Sequence, residues 1–356
     1  MDTRRSICPD QVYTRLPRCP VLRSPGRRAA RAVFGMLLFA AFVFPAAGDA
    51  PDDALTVSAV QFEIDETTVL DREALAEEIG HAVETAAEEG ADLVVFPEYL
   101  NVFPALSDDT ALTDAVAEMD FSAEAIEAGD ATGEQTVREL LARVYRHTGH
   151  RSLRSLFAAR AEETSRWIDE AYGEAADSHD VHVIAGTYFA LEEQGRRASL
   201  TNRAVAYDPD GRRSFEQDKV YLTAFERDLL GLDSADVGDA SGIEIAGWSI
   251  ALTICRDTYF EEWNEVHSDR DLWIDLRGEG TEYNAEVRRR LEGAVPERIL
   301  ETDVSYGLTV FLTGEFHGLY WEGRSSFVEE SGDSVAPLSE AATTTGYDII
   351  STTIKQ

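Results

Sequence analysis

Three side chains of complementary chemistry stand at the ends of three separate runs. Glu98 closes "ADLVVFPE", Lys219 closes "RSFEQDK" and Cys255 closes "WSIALTIC". A thiol of pKa near ~8.5 is mostly protonated at neutral pH. A neighbouring carboxylate can take that proton. An ammonium beside both stabilises the thiolate and, later, an oxyanion; loss of one such donor typically costs about 10²–10³ in rate. Together the three suit attack on a carbon bonded to nitrogen, in an amide or a nitrile, through a thioester. The residue types themselves are selective. Lys219 and Lys355 are the only lysines, and Lys355 is one residue from the C-terminus, so arginine supplies every other basic charge. Arginine keeps its proton and presents a wide fork, whereas lysine offers a compact ammonium. Each residue alone also has a structural reading: Glu98 as a turn cap, Lys219 as a surface charge, Cys255 as core packing. Their joint placement at strand ends, where layered α/β folds gather catalytic groups, favours chemistry.

The elements that must position them follow from periodicity. "LTVSAVQFEI" (55–64) reads as a buried strand. "DREALAEEIGHAVETAAEEG" (71–90) reads as an amphipathic helix with Leu75, Ile79, Val83 and Ala86 on one face and Gly90 at its stop. "ADLVVFPEYL" follows as a fully apolar strand, giving a strand–helix–strand unit and hence α/β layering. "VHVIAGTYFAL" (181–191) is a further strand, and the Asp-Pro-Asp-Gly turn at 208–211 joins two more. Gly247 turns a hairpin that leads to Cys255, and "DLWIDLRGEG" is a short strand and loop. "GAVPERILETDVSYG" reads as a helix, "LTVFLTGEF" as a strand, and "SSFVEESGDSVAPLSE" as a hairpin. Residues 105–165 are acidic, Ala-rich and helical in spacing. They read as an insertion into one domain, either a lid over the site or a solvated decoration.

"DLVVFPEYL", "QDKVYLTAFE" and "ALTICRDTYF" resemble, in that order, the three signature blocks of the nitrilase superfamily of carbon–nitrogen hydrolases. The resemblance runs from about residue 55 to about residue 338, apart from the insertion. It implies an α/β fold, a four-layer α-β-β-α sandwich that commonly dimerises through its outer helices. It also implies Glu98 as general base, Lys219 as oxyanion stabiliser and Cys255 as nucleophile. Glu226 resembles the additional glutamate that orients the lysine and substrate, and the N–H of Arg256 would help form the oxyanion hole. The block after the cysteine departs from the usual C-Y-D-x-x-F-P-E: in "CRDTYFEE", Arg256 and Glu261 replace the common aromatic and proline. The charged loop 276–283 replaces a shorter one and is expected to touch substrate. The activity so implied is hydrolysis of a non-peptide C–N bond, amide or carbamoyl, in a small molecule. Nitrile hydrolysis, acyl transfer by the same triad, and a non-catalytic binding protein retaining the fold remain the alternatives.

Composition bounds the rest. The formal charge is −35, from 67 acidic against 32 basic residues. Such a surface repels nucleic acid and anionic membrane and suits a salt-rich solvent. Residues 1–48 differ: eight arginines and two acids give +6, leaving −41 for residues 49–356. Their order, basic residues to Arg31, the apolar run Ala32 to Ala47, then small residues, is that of a cleaved signal peptide, with an uncleaved anchor as second choice. An exported chain lacking that segment loses Cys8 and Cys19 and keeps Cys255 alone, without an internal disulfide. The paired histidines of "HTGH" (147–150) and "HDVH" (179–182) lack acidic or cysteine partners at ligand spacing, so no metal and no cofactor is expected. The expected partners are a small-molecule amide and further copies of the chain.

Overall fold

The computed structural model describes residues 54–107, 142, 144–146, 148–194, 197–316 and 319–356. The segment read as a signal peptide lies outside the described residues, as do residues 108–141 of the expected insertion. Thirteen strands appear among the described residues: β1 (Ala54–Ile64), β2 (Leu93–Val95), β3 (His182–Gln194), β4 (Arg197–Tyr207), β5 (Arg213–Asp218), β6 (Ile243–Ile245), β7 (Trp248–Ile254), β8 (Leu272–Arg277), β9 (Tyr306–Phe316), β10 (Leu319–Trp321), β11 (Ser326–Ser331), β12 (Ser334–Glu340) and β13 (Asp348–Lys355). They connect in the order β5-β4-β3-β2-β1-β9-β8-β7-β6. β1 is the hinge of this arrangement. Its first part pairs in parallel with β2 and antiparallel with β13, while Phe62–Ile64 at its end pair with β9.

Burial sorts the strands into two packed half-sheets. Leu55, Val57, Leu93, Val95, Ile184 and Ala204 of the first half meet Ile250, Leu252, Ile254, Ile274, Leu276 and Val310 of the second in one core. The alternate residues Val94 and Phe96 face the opposite way, into a core shared with helices α1 (Arg72–Glu88) and α2 (Leu153–His179). This is why "LVVF" is apolar without alternation: both faces of β2 are covered. On the outer face of the second half, Ala251 and Trp273 pack with Trp263 of α3 (Glu262–His267) and with Val295 and Ile299. Those last two belong to α5 (Val295–Glu301), which follows the separate helix α4 (Ala285–Leu291). The layers are therefore α-β-β-α, as the sequence blocks imply.

Local chemistry sets the helix ends. The Asp71 side chain accepts from the N–H groups of Glu73 and Ala74, capping α1, and Leu75, Ile79, Ala82, Val83 and Ala86 form its buried face. Ser152 and Ser155 form a reciprocal capping box at the start of α2. Residues 153–165, read from sequence as the end of the insertion, are the first half of α2, with Leu156, Phe157 and Ala161 buried. The stretch read as one helix from Gly293 ends earlier, at Glu301, and α4 precedes it.

One bulge matters for the site. Between Ile184 and Thr187 the β3–β4 register shifts, and Gly186 takes φ +76°. A Cβ there would stand 2.1 Å from the Pro97 carbonyl oxygen, directly behind Glu98. Gly186→Ala is expected to destabilise the fold by about 2 kcal/mol or more, because a strained backbone of 1–3 kcal/mol adds to the clash. Chemical denaturation reads this directly; an unchanged midpoint would show that the close approach is not real.

Candidate active site

β1, β2, β7, β8 and β9 run parallel, so β2, β7 and β8 end at the same edge; β5 joins them through the antiparallel β3–β4–β5 run. Glu98 follows β2, Lys219 follows β5, Cys255 follows β7 and Gly278 follows β8. Sequence places Glu98 121 residues from Lys219, with Glu226 seven residues beyond the lysine; the structure joins all three. Lys219 Nζ lies 2.8 Å from Glu98 Oε1 and 2.9 Å from Glu226 Oε1, and all three side chains are fully buried.

Three residues not singled out in the sequence complete this node. The Asn202 side-chain amide donates to Glu98 Oε1 at 3.0 Å and to Glu226 Oε1 at 3.1 Å. It stands opposite Lys219 across the β4–β5 ladder, where the Lys219 N–H donates to the Asn202 carbonyl at 2.8 Å. The Tyr99 hydroxyl donates to Glu226 Oε1 at 2.6 Å, and Lys219 Nζ sits 5.7 Å above the Tyr99 ring centroid. Tyr99 itself is in the left-handed region, φ +67°, with its N–H donating to Thr187 Oγ1. The other oxygen of Glu98 is held by the Gly278 N–H at 2.9 Å. A Cβ on Gly278 would meet Tyr99 at 2.7 Å, so glycine is what lets this backbone approach. Loop 276–283, expected to touch substrate, meets Glu98 through the Gly278 backbone.

The charges differ in kind. Burial raises the Glu98 pKa to about 7, against the opposing pull of Lys219. Burial also acts on Glu226, but there Lys219 and the hydrogen bonds from Tyr99, Lys219 and Thr223 outweigh it, and the carboxyl is held below its ordinary value. Burial would discharge Lys219, yet Glu226 and Glu98 push its pKa well above the ordinary value. One site therefore holds a fixed carboxylate, a fixed ammonium, and a carboxyl poised to exchange a proton near neutrality.

Cys255 opens the short turn Cys255–Tyr259 in the left-handed region, φ +52°. Burial and the charge of Glu98 raise its thiol pKa well above the ordinary range, opposed by Arg277 and Lys219. The sulfur is thus within the field of both Glu98 and Lys219. The turn is tied to the lysine segment by buried Asp257, which accepts from the N–H groups of Tyr221 at 2.7 Å and Val220 at 3.2 Å. Arg256 turns its guanidinium over the Phe260 ring, 6.0 Å from the centroid, and Phe260 stacks on Tyr221. The signal for Asn202 was a lone amide in the apolar run "LTNRAVAY"; Tyr99 and Gly278 carried none beyond adjacency to Glu98 and to a charged loop.

A four-layer sandwich with thiol, carboxylate and ammonium at its strand ends defines a class of α/β proteins acting on carbon–nitrogen bonds. The chain belongs to the carbon–nitrogen hydrolase family, whose model matches residues 56–283. An amidase from Nesterenkonia sp. has a similar structure, with 14% identity, 86% of this chain and 92% of that chain covered, and a TM-score of 0.56. Nit3 of Saccharomyces cerevisiae, a member of branch 10 of the nitrilase superfamily, is similar at 16% identity, with 85% and 90% covered and a TM-score of 0.56. At these identities the likeness is one of fold. No curated protein matches the sequence.

Replacing Lys219 tests the node. In Lys219→Met, two buried carboxyls lose their common cation, and removal of one partner from such a pair costs about 3–5 kcal/mol. Glu98 already titrates above the ordinary 4.5 and loses the cation that opposes the effect of burial, so the folded state binds more protons than the unfolded one and stability falls as pH rises through that window. The variant is expected to lie closer to wild type at pH 5 than at pH 8 in thermal melts. A deficit independent of pH would contradict the buried node.

Proposed function

We propose that the protein is a thiol amidohydrolase that cleaves a non-peptide C–N bond of a small amide or carbamoyl compound. Cys255 Sγ attacks the carbonyl carbon while Glu98 takes the thiol proton. The oxyanion so formed is stabilised by the Lys219 ammonium and by the N–H of Arg256. Glu98 returns the proton to the leaving nitrogen, ammonia or an amine departs, and a thioester to Cys255 remains. Glu98 then deprotonates a water that attacks the thioester, and the carboxylic acid leaves as the thiol is restored.

The observation that carries this reading is the Lys219 ammonium held between Glu98 at 2.8 Å and Glu226 at 2.9 Å, with the Cys255 thiol in its field. Glu226 fixes the ammonium, so Glu98 is left to move protons. A merely structural ion pair needs no third group with a raised pKa at a strand end beside a thiol. The amide class is further supported by mutants of the Nesterenkonia amidase, which have been captured with acrylamide and with butyramide and, in one case, with acrylamide added to the active-site cysteine by Michael addition. The basic, apolar and small-residue order of residues 23–48 supports export by a cleaved signal peptide.

The test is ammonia release from a panel of short aliphatic amides, nitriles and carbamoyl compounds, at low and at high salt. Turnover of at least one amide or carbamoyl compound is expected, with Cys255→Ala and Glu98→Gln each slower by about 10³ or more. Turnover retained in Cys255→Ala would remove the thioester route. Release from nitriles alone would assign the site to nitrile hydrolysis, and an acid yield below the ammonia yield when an added amine is present would assign it to acyl transfer.

A further inference from the structure

The site contains a second fully buried ion pair that the proposed reaction does not use. Asp275 and Arg277 stand two residues apart on β8, and Arg277 Nε and Nη2 donate to Asp275 Oδ2 at 2.9 and 2.6 Å. A buried pair is costly to desolvate and contributes little stability over apolar residues of the same volume. Here each partner also bonds the backbone of the same residue. Asp275 Oδ1 accepts from the Cys255 N–H at 3.0 Å, and Arg277 Nη2 donates to the Cys255 carbonyl at 3.1 Å. Arg277 Nη1 donates to the Tyr259 hydroxyl at 3.1 Å, at the far end of the same turn. The register of β7 on β8, Ile254 opposite Leu276, sets Asp275 and Arg277 on either side of the end of β7.

Cys255 needs such a hold. Its φ of +52° lies in the left-handed region, which a side chain with a Cβ adopts at a cost and keeps only when its surroundings enforce it. The next residue along β8 closes the argument. Gly278 donates its N–H to Glu98 Oε2 at 2.9 Å. One segment of four residues therefore binds the backbone of the thiol residue and the carboxylate of its base.

We propose that Asp275 and Arg277 are the positioning residues of the nucleophile: they grip the N–H and C=O of Cys255, enforce its left-handed turn, and fix where its sulfur stands relative to Glu98. This rests on the thiol-hydrolase reading above. The guanidinium does a second thing from the same place, because its charge opposes the effect of burial on the thiol.

The double variant Asp275→Asn/Arg277→Met separates positioning from stability, since it leaves no unpaired buried charge. Its thermal midpoint is expected to stay near that of wild type. Alkylation of Cys255 by iodoacetamide at pH 7.5, read by peptide mass spectrometry, is expected to slow at least tenfold. For an amide turned over by wild type, kcat is expected to fall at least tenfold with KM unchanged. Alkylation and kcat within twofold of wild type would overturn the proposal. Arg277→Lys keeps the charge and loses the fork that spans Asp275 and the Cys255 carbonyl. It is expected to lower kcat at least threefold without changing KM, and a wild-type kcat there would also overturn the proposal, even if the double variant fails to fold. The alkylation arm needs no substrate. If wild type turns over no amide, the proposed function falls while the role of the Asp275–Arg277 pair is still decided by alkylation.

Discussion

A single ammonium with no exposure to water is the constraint around which this site is built. Burying such an ion costs several kcal/mol even after relaxation. The cost is met by two carboxylates within 2.9 Å of Lys219 Nζ, by the face of Tyr99, and by Asn202, which satisfies the same two carboxylate oxygens. The two carboxylates sharing this cation are not equivalent. The hydrogen bonds from Tyr99 and Thr223 go to Glu226, so Glu226 stays ionised and Glu98 becomes the group whose proton is loose near neutral pH.

The sandwich exists to bring these groups together from both half-sheets. Glu98, Asn202 and Lys219 come from the first half, while Cys255, Asp275 and Gly278 come from the second. The inter-sheet core sets the separation between halves, and polar threads cross it at the strand ends: Gly278 to Glu98, Asp257 to Val220 and Tyr221, and Gln217 to the Leu252 carbonyl. The site is therefore as rigid as the core beneath it, which is what preorganised electrostatic stabilisation requires.

Much of this was legible from residue types. A chain that uses arginine almost everywhere keeps Lys219 where a compact ammonium must fit between two carboxylates, and a planar fork would not. β2 was readable because burial on both faces demands an unbroken apolar run, and β1, β3 and β7 because their runs are mainly apolar. What sequence hid is contact through space. Asn202 lies 104 residues from Glu98 and Gly278 lies 180 residues from it, and neither separation leaves a periodic trace. β13 was missed for another reason. "DIISTTIK" is half polar because one face of that strand is only partly covered, and its pairing partner is β1, some 290 residues earlier. The Asp275–Arg277 pair did leave a signal: two opposite charges in the otherwise apolar strand "LWIDLR", on the same face of it.

The central claim is that the thiol of Cys255 is made reactive by Glu98 and not by its own acidity, which burial suppresses. The pH dependence of Cys255 alkylation in wild type and in Glu98→Gln measures this most directly. The expected result is a wild-type rate that rises with a midpoint near 7, following the carboxyl, and that is lost in Glu98→Gln at neutral pH. A rate that rises only above the ordinary thiol pKa of about 8.5, and equally in both proteins, would contradict the account.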